Sequence, residues 1–213
     1  SAGARLWATY YGGTGSDYPS SVAVPPGGSD VYLGGYTDSP SGIASGGFDN
    51  SQNGDFDSFL VKFSPTGGRI WATYYGGPVA EEFGLVAADA AGNVFLAGDT
   101  YSTGLGSAGY DNTFTGEENE FLAAFDANGA RICATYYGPT HDENANIALD
   151  GLGNVYMSGE TPSTSAIASG GYDNTYAGGT SDAYLVKFAA CTPPLSVELL
   201  SFTAKCTATT TQQ

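Results

Sequence analysis

With 213 residues, a formal net charge of −16 and a pI near 4.1, the chain is long enough to bury a core, and its charge repels polyanions. That excludes nucleic acid and anionic lipid as partners and leaves cations and neutral glycans open. Its 32 Gly, 15 Tyr and 11 Phe against only 6 Lys plus Arg favour turns and aromatic strands over helices, so an all-β fold is expected. No run approaches the ~20 apolar residues of a membrane span, and no membrane insertion is expected.

The first element is an aromatic strand, Arg5 to Tyr11, and it opens a repeat. Trp7-Ala8-Thr9-Tyr10-Tyr11-Gly12-Gly13 returns as Trp71-Ala72-Thr73-Tyr74-Tyr75-Gly76-Gly77 and again as Cys133-Ala134-Thr135-Tyr136-Tyr137-Gly138, at spacings of 64 and 62 residues. Next comes a small apolar strand near Ser20 to Val24, then Val31-Tyr32-Leu33-Gly34-Gly35, echoed by Val94-Phe95-Leu96-Ala97-Gly98 and Val155-Tyr156-Met157-Ser158-Gly159. A loop of about 20 residues rich in Gly, Ser, Thr and Asp follows and carries Phe48-Asp49-Asn50, Tyr110-Asp111-Asn112 or Tyr172-Asp173-Asn174. An alternating strand closes the set at Phe59 to Phe63, Phe121 to Phe125 and Tyr184 to Phe188. Turns such as Asp89-Ala90-Ala91-Gly92-Asn93 and Pro65-Thr66-Gly67 join these strands as hairpins.

No segment carries a 3.6-residue apolar period. The reading is therefore three units, approximately 5–67, 68–129 and 130–188, each of four antiparallel strands in the manner of a propeller blade, with Val22, Val86 and Ile147 on the innermost strands. They form an open arc or part of a larger ring, and a tail, 191–213, follows with a strand-like segment at 195–204.

The order aromatic-x-Thr-Tyr-Tyr-Gly-Gly, Gly-Asn-Val-Tyr, Tyr-Asp-Asn-Thr and Ala-Tyr-Leu-Val-Lys-Phe resembles the bacterial seven-bladed β-propeller repeat family over residues 5–188. The resemblance implies blade architecture and secretion, and no shared catalytic residue. Pro194 to Lys205 resembles the segment that precedes sorting domains in proteins exported by type IX secretion, which implies an extracellular or cell-surface address.

Motifs for chemistry are sparse. No phosphate loop, His-Glu-x-x-His, Gly-x-Ser-x-Gly or dinucleotide fingerprint occurs, and the one histidine, His141, reads as a surface turn residue, so no enzyme is expected. The acids recur by repeat. One set follows the aromatic strand at Asp17, Glu81, Glu82, Asp142 and Glu143. The other lies in or after the long loop at Asp49, Asp55, Asp57, Asp111, Glu117, Glu118, Glu120, Asp173 and Asp182.

Carboxylates on a Gly-rich loop suit Ca²⁺, with the Asp55-Phe56-Asp57 loop the strongest candidate; the competing explanation is that Asp-Asn pairs cap turns. The Tyr-Tyr pairs suit sugar stacking, although in a strand one of each pair should be core and the other surface or interblade. Cys133 stands where Trp7 and Trp71 do and reads as a buried free thiol. Cys191 and Cys206 invite a disulfide, in tension with a strand between them, so either the tail folds back or they have other partners.

The phase of the units carries the functional expectation. Arg5 to Tyr11 is a fourth strand with no first three before it, and the last unit ends at Phe188 with no aromatic strand after it. Left open, such an arc exposes apolar faces and an unpaired edge, which promote association. The leading reading is a self-assembling extracellular structural protein, a filament or surface layer, joined through blade faces and strand donation. The assembly residues would be Trp7, Tyr10 and Tyr11 or, from the tail, Leu195, Val197, Leu199 and Phe202. The alternatives are a glycan- or calcium-binding propeller module and a fragment of a larger secreted protein.

Overall fold

The computed structural model describes residues 3–139 and 143–191, with the backbone alone for 143–145. All regular structure among these residues is β. Sheet 1 comprises β1 (Asp17–Ala23), β2 (Val31–Thr37), β3 (Asp57–Phe63) and β4 (Arg69–Tyr75), in that spatial order. Sheet 2 repeats the pattern with β5 (Glu81–Ala88), β6 (Val94–Thr100), β7 (Asn119–Phe125) and β8 (Arg131–Tyr137). Sheet 3 has β9 (Glu143–Leu149), β10 (Val155–Thr161) and β11 (Asp182–Phe188), and among the described residues no fourth strand. Every pairing is antiparallel. The expected blades are present and do not close into a ring, and Val22, Val86 and Ile147 lie on β1, β5 and β9.

The tight turns follow from a few side chains. Asp89 Oδ1 accepts the amides of Ala91 and Asn93 at 2.9 Å each, and Asp126 and Asp150 do the same in the β7–β8 and β9–β10 turns. This is the side-chain mimicry that makes Asp a turn former. Between β3 and β4, and between β7 and β8, the turn needs a left-handed residue. Gly67 (φ 84°) and Gly129 (φ 86°) supply it, and their lack of a side chain also makes room for an indole: a β-carbon would lie 3.0 Å from Trp7 and 2.9 Å from Trp71 respectively.

Sheets 1 and 2 stack through Tyr32, Leu60, Val86, Leu96, Trp71 and Tyr75 in one core. Sheets 2 and 3 stack through Phe95, Leu122, Ile147 and Met157 in another. Having neighbours on both faces, β3, β6 and β7 are buried along their whole length. The alternation expected of the Phe59–Phe63 strand is overridden there, because alternation survives only where one face meets water. It does survive in β11, whose outer face, among the described residues, has no sheet beside it.

Candidate assembly site

Each aromatic strand clamps the next sheet in sequence, and the clamp occurs three times. Trp7 Nε1 donates to Pro65 O and Trp71 Nε1 to Ala127 O, both at 3.0 Å. In the third copy Cys133 replaces the tryptophan and is bonded to Cys191, with Cα atoms 6.4 Å apart, in the same turn region that follows β11. Cys133 is thus not the expected free thiol, and Cys191 pairs with it rather than with Cys206, which lies outside the described residues. The second tyrosine of each pair completes the clamp. Tyr11, Tyr75 and Tyr137 hydroxyls donate to the carbonyls of Ile43, Leu105 and Ile167, at 2.7, 2.9 and 2.6 Å.

The first tyrosine turns the other way, into its own sheet's long loop: Tyr74 OH donates to Ser39 O at 2.7 Å and Tyr136 OH to Ser102 O at 3.0 Å. In β4 and β8 both tyrosines are therefore buried. This is the expected division into one core and one interblade tyrosine: the first lies under its own sheet's long loop and the second between that sheet and the next.

Residues 5–11 are docked like β4 and β8 but belong to no sheet. Tyr11 packs on Phe59 and Phe63, with ring centroids 5.7 and 5.5 Å apart, as Tyr75 packs on Phe121 and Phe125. Leu6 and Tyr10, by contrast, are fully exposed. Among the described residues this segment is an outer strand that belongs to no blade.

Sheet 3, among the described residues, is a blade without an outer strand. In sheets 1 and 2 that strand lies between two walls. The third strand forms one wall. The long loop forms the other, through paired Ser45–Ala72 amide–carbonyl bonds and Tyr74 N to Asp49 O at 3.0 Å, repeated as Ser107–Ala134 and Tyr136 N to Asp111 O at 2.9 Å. In sheet 3 both walls stand, β11 on one side and the loop with Ser169 and Asp173 on the other, and between them runs a groove of about 750 Å³.

The acids are loop anchors. Asp17 accepts Gly13 N, Thr37 Oγ1 and Ser39 Oγ, and Glu81 accepts Gly77 N and Thr100 Oγ1. Asp57 accepts the amides of Asn53 and Gly54, and Asp182 that of Ala177. Asp49, Asp111 and Asp173 cap turns by accepting Ser51, Thr113 and Thr175 amides. Asp55 and Glu117 are exposed, and Glu120 is buried, accepting the Tyr184 hydroxyl across sheets 2 and 3. Among the described residues no three such groups gather where a cation could bind them together. Burial raises the Asp57 carboxyl to about 7, with the Glu81 charge adding to the shift, and burial raises Glu81 as well.

Of the residues expected to serve assembly, Trp7, Tyr10 and Tyr11 lie together on the unpaired strand, whereas Leu195, Val197, Leu199 and Phe202 lie outside the described residues, as does His141. Sequence reading named Asp173 as a candidate metal ligand and missed both Ser169 and the loop wall the two form, although their spacing from Ser107 and Asp111 marks them once the pairing is known. No protein-family model and no curated protein matches the chain.

Proposed function

We propose that this chain is a non-catalytic extracellular structural protein whose copies join end to end into a filament or surface layer. The observation that carries the reading is a mismatch among the described residues: residues 5–11 docked as an outer strand outside any sheet, and a blade with both walls of its outer-strand groove standing. An unpaired edge and an exposed apolar face are the two features that drive β proteins to associate. The join would be head to tail. A heterologous contact of that kind propagates into a fibre or closes into a ring, depending on its rotation.

The Cys133–Cys191 bridge supports an oxidising location, since such bonds persist outside the reducing cytosol. Resemblance to secreted propeller repeats agrees with that address. The acidic surface suits a protein that meets itself or neutral glycans rather than nucleic acid.

The test is mass in solution against concentration, followed by negative-stain microscopy. Growth of polydisperse, elongated species with concentration is the expected result. A chain that stays monomeric into the millimolar range rules the reading out and leaves a fragment of a larger secreted protein, or a glycan- or calcium-binding propeller module, as the alternatives.

A further inference from the structure

We infer that the groove on sheet 3 is filled by residues 5–11 of a second copy, which enter it as the fourth strand and keep their existing dock on their own sheet 1. This rests on the self-assembly reading and adds to it the donor segment, the register and the mating faces. The internal blades supply the template. Lys62, Leu60, Phe59 and Ser58 pair with Trp71, Thr73, Tyr74 and Tyr75 in sheet 1. By the repeat, Lys187, Leu185, Tyr184 and Ala183 pair with Trp7, Thr9, Tyr10 and Tyr11 of the neighbour. On the loop side Ser169 takes Ala8, Asp173 takes Tyr10, and the exposed Tyr10 hydroxyl reaches the Ser163 carbonyl, as Tyr74 reaches Ser39 and Tyr136 reaches Ser102.

Three observations select this occupant. The first is Gly171. A β-carbon at Gly47 would lie 2.6 Å from Ala72 O and one at Gly109 2.3 Å from Ala134 O, so in sheets 1 and 2 glycine is needed for the approach of the fourth strand. The matching Gly171 is not left-handed and has only Asn174 Oδ1 at 4.0 Å; its glycine is accounted for when a strand lies in the groove.

The second is the side chains. The slot in sheets 1 and 2 takes Ala-Thr-Tyr, with the Asp49 and Asp111 amides each donating to the threonine hydroxyl at 2.8 Å. Ala8-Thr9-Tyr10 supplies this sequence, and Leu195 to Ala204 does not.

The third is the pair of faces that the join brings together. Leu60 and Val86 are buried against each other's sheets, whereas their counterparts Leu185 and Val22 are 73% and 64% exposed. Lys187 stacks over Tyr156 at 5.1 Å in the open, as Lys62 stacks over Tyr32 at 5.5 Å within the sheet 1–sheet 2 contact, where Lys62 also donates to Ala127 O. Seated in the neighbour's joint, Lys187 meets Pro65 O by the same rule. No segment has to refold, because the donor strand is already held in place by Trp7 and Tyr11, which keeps the cost of ordering low.

The experiment uses two blocked full-length chains. Gly171→Val closes the slot, and Tyr10→Asp spoils the strand; neither position packs on its own chain. Each variant alone is expected to be monomeric with the melting temperature of dilute, monomeric wild type, and an equimolar mixture is expected to give a discrete two-chain species, since one strand and one slot remain compatible. In otherwise wild-type chains, Thr9→Cys mixed with Leu185→Cys should yield an intermolecular disulfide under air oxidation. If the wild-type chain assembles and Gly171→Val assembles equally well, slot filling is overturned and the self-assembly reading stands. A Gly171→Val monomer that melts earlier than wild type at a dilution where wild type is itself monomeric shows the slot filled within one chain, by its own residues 195–204, and overturns the inference. A wild-type chain that never assembles and forms no crosslink overturns both.

Discussion

Asp57 has no solvent exposure, and a β-carbon at Gly76 would lie 2.5 Å from its Cγ and equally close to Glu81 Oε2, so the two carboxyls sit side by side at the sheet 1–sheet 2 contact. With a folded pKa of about 7 against roughly 3.9 in an unfolded chain, the fold favours protonated Asp57. The stabilisation it gives is complete below about pH 4 and is lost as pH rises through 7; Glu81 shifts in the same direction. The melting temperature should therefore fall between pH 5 and pH 8. Asn119 holds the Asp57 position in sheet 2, accepting Thr115 N and donating to Gly138 O. Asp57→Asn should reproduce that pattern, with its amide donating to Gly76 O, raising the melting temperature at pH 8 and reducing the pH slope. A slope unchanged in thermal circular dichroism would place the titrating group elsewhere. That Asp57 recurs as Asn119 and Asp182 is visible in the chain. That it faces another carboxyl is not, because the two belong to different repeats.

At the scale of elements, sheet 3 differs from its neighbours in how it is fastened. Sheets 1 and 2 are each clamped by an indole hydrogen bond to a turn carbonyl, and sheet 3 by the Cys133–Cys191 bridge across 58 residues of sequence. A loop of that length corresponds to ~4 kcal/mol in the chain-entropy account, more than the ~1 kcal/mol net of a hydrogen bond. The covalent form falls on the sheet whose outer face, among the described residues, lacks a neighbour. Reduction, or Cys133→Ala, should lower stability by up to about that amount and should accelerate amide exchange in β9–β11 more than in β1–β4. Uniform exchange across all three sheets would contradict a local role. The motif alignment displays the Trp-to-Cys replacement, but the partner could not be read from spacing, since three cysteines permit three pairings and only the stacking of β8 against the segment after β11 selects one.

For the whole molecule, the order of strands within each sheet makes the blade the unit, and among the described residues it leaves residues 5–11 outside every blade. Deleting residues 1–12 should abolish assembly, and also weaken sheet 1, whose core of Phe59, Val61 and Phe63 is covered in part by Tyr11. Deleting 192–213 should leave assembly intact. Light scattering of the two truncations decides it: assembly lost on removing 192–213 and kept on removing 1–12 would make the tail the donor.

The sequence by itself determined the all-β class, the three-fold repeat, the hairpin turns and the order of strands within a repeat. All of these are local signals: glycines, Asp turns and aromatic motifs recurring at a fixed interval. Tertiary structure decided which faces are covered, which carboxyls meet, where the disulfide forms and that the long loop walls a groove. Each of these depends on stacking one repeat against the next. A period in sequence shows that neighbouring units are alike, and only their packing shows which atoms of one touch which atoms of the other.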